Sequence, residues 1–270
     1  PLVPLGRENL HYDWHWLWAT GNGEVGNTLV HNIDHTRILL GLQGHATAVR
    51  SVGGRLGWDD DGETPNTFLA AIKFPGWDVP FTCESRNLPF SNERKEMDSR
   101  FMRRTVGTIL FCENGWLYFD RGGGAAFDKN NKEIKRFPGD GGATHMANFI
   151  DAVRSRDEKS LRRNIEEGHI STCVAHMANI SHLTGATGHT IGSIEKEAPP
   201  ELLHATEAWA SFKEHVGTSG VDLTRTPLTL GAALQFDPAT ESFLETSEQG
   251  RMANYLLDEV YRPPHTLPKV

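Results

Sequence analysis

A chain of 270 residues, 38% hydrophobic and 23% charged, has apolar material enough for a core of its own, and its mean hydropathy of −0.44 is that of a globular protein in water. Lys and Arg number 27 against 35 Asp and Glu, a net charge of −8. With no block of clustered cations, nucleic acid is excluded as an expected partner, because gripping a phosphate backbone needs concentrated positive charge. No apolar run reaches the roughly 18 residues of a membrane-spanning helix. The opening Pro1-Leu2-Val3-Pro4-Leu5-Gly6-Arg7 has neither the basic nor the apolar region of a secretory signal, and the expected compartment is the cytoplasm. Cys83, Cys112 and Cys173 are too widely spaced for a disulfide framework or a metal knuckle and read as buried, inert thiols.

In chain order, His11 to Trp18 reads His-Tyr-Asp-Trp-His-Trp-Leu-Trp, and the glycine-rich turn Gly21-Asn22-Gly23-Glu24-Val25-Gly26 follows. Leu29, Ile33 and Leu40 recur near a 3.6 period, which predicts a helix over 27–40 with Gly41 as its C-cap. Short β-type runs are expected at Ala48–Val52, Thr67–Phe74, Val79–Glu84, Val106–Cys112 and Trp116–Phe119, separated by Gly, Pro, Asp and Asn clusters. Asn114-Gly115 is the best hairpin signal, since both residues tolerate the positive φ of a type I′ turn; Gly122-Gly123-Gly124 is expected to be a turn or bulge. Met146, Phe149, Ile150 and Val153 predict one helix, and Ile170, Cys173, Val174, Met177, Ile180 and Ser181 a second that ends at Gly185. A third helix is expected over 201–216, strands and turns over 221–243, and a last helix over 247–259 before Pro263-Pro264. Strands first and helices after predict α+β: an open, mostly antiparallel sheet with helices packed on one face. Residues 1–270 are expected to form a single domain.

Gly21, Gly23 and Gly26 match the dinucleotide pattern G-x-G-x-x-G. That site also needs a buried parallel strand before the glycines and an acidic residue about 20 positions later for the ribose. Trp and His precede Gly21, and no Asp or Glu lies between His35 and Trp58, so a tight turn is the better expectation.

Three constellations could carry chemistry. If the first segment is extended, His11, Asp13 and His15 share one face and Tyr12, Trp14, Trp16 and Trp18 the other. The polar face could ligate Zn²⁺ or Mn²⁺, or orient a sugar hydroxyl; the aromatic face could stack on a sugar ring or simply bury. On the first helix, Asn27, His31, Asp34 and His35 fall along one stripe. There His31 could act as general acid or base, and His31 with His35 could chelate a metal, or the stripe could be a solvated face in which Asp34 pairs with Arg37 or a loop amide. Asp59-Asp60-Asp61-Gly62-Glu63 lacks full EF-hand spacing and reads as a solvated acidic turn. His145, His169, His176 and His182 read as structural histidines.

Taken together, Tyr12-Asp13-Trp14-His15-Trp16, Gly21-Asn22-Gly23, and Gly26-Asn27 followed by His31-x-x-Asp34 resemble the C-terminal α/β domain of Gfo/Idh/MocA-type sugar oxidoreductases, in the variant abundant in planctomycete-like bacteria. Gly53-Gly54-Arg55, Asp60 to Thr67, Asn148 to Ser155, Glu167-Gly168-His169-x-Ser171, Asn179-Ile180-Ser181 and Tyr261-Arg262-Pro263-Pro264 extend the resemblance over nearly the whole chain. It implies a substrate-binding and oligomerisation domain, with His31 at the family's catalytic histidine and Asn27 where many members carry Asp. It also implies sugar contacts from Trp14, Trp16, Asn27 and Arg55, and a homo-oligomer built through the sheet. The family's Rossmann domain and its Glu-Lys-Pro lysine have no counterpart here, so this chain is expected to bind no nicotinamide itself. Relatives of the family include glycoside hydrolases and lyases. The alternative reading is therefore a nicotinamide-independent, metal-assisted glycosidase or lyase. In it His11, Asp13, His15, His31 and His35 would hold a divalent ion, and His31, Asp13 and His15 would do the chemistry.

Overall fold

The computed structural model describes residues 10–57, 60–88, 106–197, 207–257 and 264, without the side chains of Leu10, His11 and Glu207. Asp59, the start of the helix expected at Glu201 and the end of the one expected to reach Glu259 lie outside the described residues.

The described residues begin with helix α1 (Leu10–Asp13), a 3-10 turn (Trp14–Trp16) and a π-helical turn (Val25–Leu29) that runs into α2 (Val30–Leu40). Gly41 ends α2 in the left-handed conformation, φ 65°, its N–H bonded to the carbonyls of Arg37 and Ile38, as the sequence predicts. Strands β1 (Ala48–Gly54), β2 (Thr67–Lys73) and β3 (Phe81–Arg86) follow, then β4 (Thr108–Cys112), β5 (Gly115–Asp120), β6 (Gly123–Asp128) and β7 (Glu133–Pro138). After α3 (His145–Ser155) and α4 (Ile165–Leu183) come β8 (Ala186–His189), α5 (Ile191–Glu197) and α6 (Glu207–Thr218). The chain continues with β9 (Leu228–Leu230), β10 (Leu234–Asp237), β11 (Ser242–Phe243) and α7 (Glu248–Tyr255).

The strands make two open sheets, and every described pairing is antiparallel. The larger has 7 strands in the order β11-β10-β1-β2-β3, with β9 and β8 continuing from β1; the smaller is the meander β4-β5-β6-β7. The expected α+β class with antiparallel sheets and packed helices is what forms. β2 shows why its sequence reads as a nearly unbroken apolar run. Phe68, Ala70 and Ile72 point into a core shared with Val25, Leu29 and Ile33 and with Val174, Met177 and Ala178 of α4. Leu69 points the opposite way, into a second core with Ile194 of α5 and Trp209, Phe212 and Val216 of α6. Helices therefore cover part of the second face of the large sheet as well as the first.

Four local expectations differ from the structure. The β4–β5 hairpin turns on Glu113-Asn114, with Cys112 paired to Gly115. Asn114 is not among the non-glycine residues with positive φ, so the turn is not type I′. The glycine is needed inside the strand, because a Cβ at Gly115 would lie 1.9 Å from the Phe127 carbonyl oxygen of β6. Gly123 and Gly124 likewise belong to β6 rather than to a turn. The stripe on α3 is helical as predicted but faces outward: Met146, Phe149, Ile150 and Val153 are 62%, 52%, 43% and 51% exposed. Of the three cysteines only Cys83 is buried, where burial pushes its thiol up to about 12.

The join between α2 and α4 is polar. Arg37, fully buried, donates to Ser171 Oγ at 2.6 Å, the Glu167 carbonyl at 3.2 Å, Glu167 Oε2 at 3.1 Å and the Leu42 carbonyl at 3.3 Å. Asp34 accepts from Arg163 Nη2 and from Ser171 Oγ, each at 2.7 Å. Asp34 thus pairs with Arg163, not with Arg37 as the solvated-face reading has it. Burial acts to raise the Asp34 carboxyl, but the bonds from Arg163 and Ser171 outweigh it and hold the group below its ordinary value. Removing the guanidinium at Arg37 strands several buried acceptors and leaves a cavity. Arg37→Ala is expected to cost about 3 kcal/mol, and Arg163→Ala, whose ion pair is partly solvated, about 1 kcal/mol. Urea unfolding of the two variants measures the difference.

Candidate functional site

The aromatic N-terminal segment is helical rather than extended. A strand over 11–18 would need an edge to pair with; here the backbone groups are satisfied otherwise. Thr20 and Gly21 N–H bond to the Leu17 carbonyl, and the Trp16 carbonyl accepts from Glu63 and Thr64 N–H at 2.8 and 3.1 Å. Residues two apart consequently share no face, and the expected split into a polar side and an aromatic side is lost. Asp13 is buried, Trp14 is exposed and stacks on His15 with ring centroids 3.8 Å apart, and Trp16 is half-buried. His15 donates from Nδ1 to the Tyr12 carbonyl at 2.6 Å, which fixes its tautomer. The side chain of His11 lies outside the described residues.

The glycines after this segment act by their size. A Cβ at Gly21 would lie 2.7 Å from the backbone of His15 and Trp14, and Gly23, at φ 65°, sits against Thr64. Helical turns, not a strand, precede them. The G-x-G-x-x-G match is no dinucleotide loop: the chain turns at Leu17 to Gly21, where the aromatic segment folds back on the loop before β2, and Gly26 already lies in the π-helical turn.

Around that turn lie buried polar atoms without hydrogen-bond partners. Asn179 of α4 donates from Nδ2 to the Asn22 carbonyl at 2.8 Å, while its Oδ1 is unsatisfied. Thr64 Oγ1, against Gly23, is unsatisfied too. So is His182 Nδ1, one helical turn beyond Asn179, whose ring meets Phe68 edge-on. Burial alone lowers the His182 imidazole to about 4. Such atoms cost free energy unless something polar meets them.

The other predicted residues are spread out. His31 is exposed on α2, His35 half-buried one turn on, and Asn27 half-buried in the π-helical turn. Arg55 forms a two-pronged ion pair with Asp60 (2.5 and 2.6 Å) and donates to the Thr64 carbonyl at 3.1 Å, so it shapes the loop that carries Thr64. The acidic turn is thereby anchored by a cation rather than freely solvated. Among the described residues, no three of Asp13, His15, His31 and His35 bring ligand atoms within 4.8 Å of one another.

A different trio does, and it could hold a metal: His45, His169 and Glu241. His45 Nε2 is 2.9 Å from Glu241 Oε1, and His169 Nε2 is 3.2 Å from both carboxylate oxygens. Cys173, one turn along α4 from His169, places Sγ 3.6 Å from His169 Nε2. The hydrogen bond from His169, and against slight desolvation that from His45, hold the Glu241 carboxyl below its ordinary value. The sequence reads His169 as a structural histidine, whereas Cys173 four residues on along the same helix is the available signal of a shared site. Nothing in the sequence points to Glu241.

No protein-family model matches the chain, and no curated protein matches it. Among solved structures it is similar to UDP-N-acetylglucosamine 3-dehydrogenase GnnA from Acidithiobacillus ferrooxidans, at 14% identity and TM-score 0.42 over 66% of this chain and 50% of that one. It is also similar to two proteins with provisional oxidoreductase assignments. One is from Thermotoga maritima (15%, TM-score 0.46, 65% of this chain and 48% of that one). The other, designated NADPH-dependent, is from Desulfitobacterium hafniense (13%, TM-score 0.45, 62% and 48%). The chain spans about half the length of these structures.

Two outcomes follow from the geometry. Gly21→Ala is expected to destabilise by about 1–3 kcal/mol through overpacking against backbone, with a shift in tryptophan fluorescence as the aromatic segment is displaced. His182 and His215 are both lowered to about 4 from 6.5, each by burial first. The unfolded chain therefore binds more protons than the folded one between these values, and stability falls as pH drops from 6.5 towards 4. His182→Gln is expected to flatten that slope, by up to about one proton's worth, in urea titrations across the interval.

Proposed function

We propose that this chain is the substrate-binding portion of a Gfo/Idh/MocA-type sugar oxidoreductase, with a sugar or glycoside as its ligand and the nicotinamide held outside the described residues. One observation carries the reading. Thr64 Oγ1 and Asn179 Oδ1 are buried and unsatisfied beside the Asn22-Gly23 turn, within the motifs that resemble that family; His182 Nδ1, likewise unsatisfied, lies one helical turn along α4 from Asn179. Sugar hydroxyls both donate and accept, so one polyol can meet an amide oxygen and a hydroxyl together. The neighbouring indoles of Trp14 and Trp16 suit the apolar face of a pyranose ring. His31, exposed on α2, is the proton-transfer residue in this reading. Asp34 is engaged by Arg163 and Ser171 and does not serve as its partner. Hydride transfer itself needs a nicotinamide beside the substrate carbon. The metal-assisted glycosidase or lyase reading has less support: no three of Asp13, His15, His31 and His35 bring ligand atoms together, and the side chain of His11 lies outside the described residues.

The test is saturation-transfer NMR of the purified chain with free sugars, aryl glycosides, nucleotide sugars and NADH, on the native protein and Thr64→Val. Thr64→Val keeps the shape and deletes an unsatisfied atom, so it is expected to leave stability unchanged or slightly raised. Binding of at least one sugar class is expected, weakened about tenfold in Thr64→Val, which is the loss of one hydrogen bond of about 1.4 kcal/mol. Tight binding of NADH by the chain alone, or sugar binding indifferent to Thr64→Val, would overturn the reading.

A further inference from the structure

His45, His169 and Glu241 come from three remote parts of the chain: the loop between α2 and β1, the second turn of α4, and the turn between β10 and β11. The convergence is not a by-product of one helix face or one acidic loop. His45 is buried, whereas His169 and Glu241 are about half exposed at 49% and 50%, so the trio opens to solvent on one side. The two imidazoles stand nearly perpendicular, 82° between planes with centroids 5.5 Å apart, and flank the carboxylate instead of stacking on each other.

Glu241 adds a second, independent observation. Its φ is 49°, and only two other described non-glycine residues, Asn131 and Arg156, have positive φ. A left-handed glutamate costs of the order of 1 kcal/mol, which a turn ordinarily avoids by using Gly or Asn. Here the cost places a carboxylate between two histidines.

We propose that His45 Nε2, His169 Nε2 and a Glu241 carboxylate oxygen form a Zn²⁺ site, with Cys173 Sγ as the fourth ligand. Two imidazoles and a carboxylate are a donor set for a borderline first-row cation and not for Ca²⁺ or Mg²⁺, which take oxygen ligands. With bonds of about 2.0–2.1 Å to nitrogen and oxygen, ligands around a tetrahedral zinc lie about 3.3 Å apart. The separations of 2.9 and 3.2 Å to Glu241 need to open only by tenths of an ångström. Cys173 sits at i+4 from His169, a spacing that lets two side chains of one helix reach a common ion. Its sulfur is 3.6 Å from His169 Nε2 but outside the set of ligand atoms that lie within 4.8 Å of one another, so coordination requires the Cys173 side chain to turn towards the shared centre. Binding displaces the thiol proton to solvent and joins the β10–β11 turn to α4 and to the loop before β1.

The probes are ZnCl2 and CoCl2 added to the full chain after chelator treatment, read by calorimetry, thermal unfolding and visible absorption. One equivalent of Zn²⁺ is expected per chain, raising Tm by several degrees. Both Glu241→Gln and His169→Ala, at half-exposed positions that the fold does not need, are expected to weaken binding tenfold or more. The Co²⁺ form is expected to show a tetrahedral visible spectrum with a sulfur-to-metal charge-transfer band that Cys173→Ser abolishes. Absence of stoichiometric binding, or Zn²⁺ affinity unchanged in Glu241→Gln and His169→Ala, overturns the site. A Co²⁺ spectrum lacking the sulfur band overturns the role of Cys173. None of these readouts depends on sugar binding.

Discussion

A guanidinium buried to 1% exposure fixes much of this molecule. Arg37 stays charged at any accessible pH, and taking it out of water is tolerable only if its donors find acceptors. It finds them on Ser171, on both the carbonyl and carboxylate of Glu167, and on the Leu42 carbonyl, though its Nε has no partner. One side chain thus holds the C-terminal end of α2, the loop after it and the first turns of α4 in a single arrangement. His45 lies three residues beyond Leu42 and His169 two beyond Glu167. The meeting of these histidines is a geometric consequence of the clamp.

Helix α4 extends the same logic along its length. Asn164 caps it by accepting from Glu167 N–H at 2.9 Å, and its buried stretch carries polar groups on more than one side. Ser171 bridges Asp34 and Arg37, and Asn179 holds the Asn22 carbonyl. Ser181 accepts from Ser51 of β1 and donates to the Ala232 carbonyl. Small polar side chains at these positions let the helix lie close to the sheet while satisfying backbone that the strands leave unpaired. Apolar residues at Val174, Met177 and Ala178 supply the burial, and the serines and asparagine supply the register.

Periodicity made α2, α3, α4 and most strands of the large sheet legible, because burial on a fixed face leaves a period in the sequence. It did not say which face a neighbour covers. α3 has the best amphipathic stripe of the chain, and among the described residues that stripe meets solvent. The aromatic segment misled for the opposite reason. Its alternation of polar and apolar residues looks like a strand, but Gly21 permits a close return of the backbone that helical turns then exploit. The shift of the β4–β5 turn by one residue likewise came from outside the hairpin, from the carbonyl of Phe127 on the next strand. The site was less legible still. Arg55 and Asp34 are polar residues in suggestive motifs, yet each is taken up by an ion pair with a partner the motif does not contain. Glu241 depends on a backbone conformation that sequence does not display.

The two polar centres of α4 are too far apart to share a ligand. His169 and Asn179 are ten residues apart, which at a rise of about 1.5 Å per residue is about 15 Å along the helix axis. An ion on His45, His169 and Glu241 cannot touch a sugar hydroxyl held by Asn179, and so cannot polarise a bond there. Any effect on the proposed sugar-binding end would have to pass through the position of α4 itself. Arg37 already anchors that helix at the first of these centres, through Glu167 and Ser171 on either side of His169. A cation at the outer end would then pin the β10–β11 turn and the loop before β1 against a helix whose inner end faces Asn22 and Thr64. That would be a structural role for the proposed metal, in keeping with a closed ligand set.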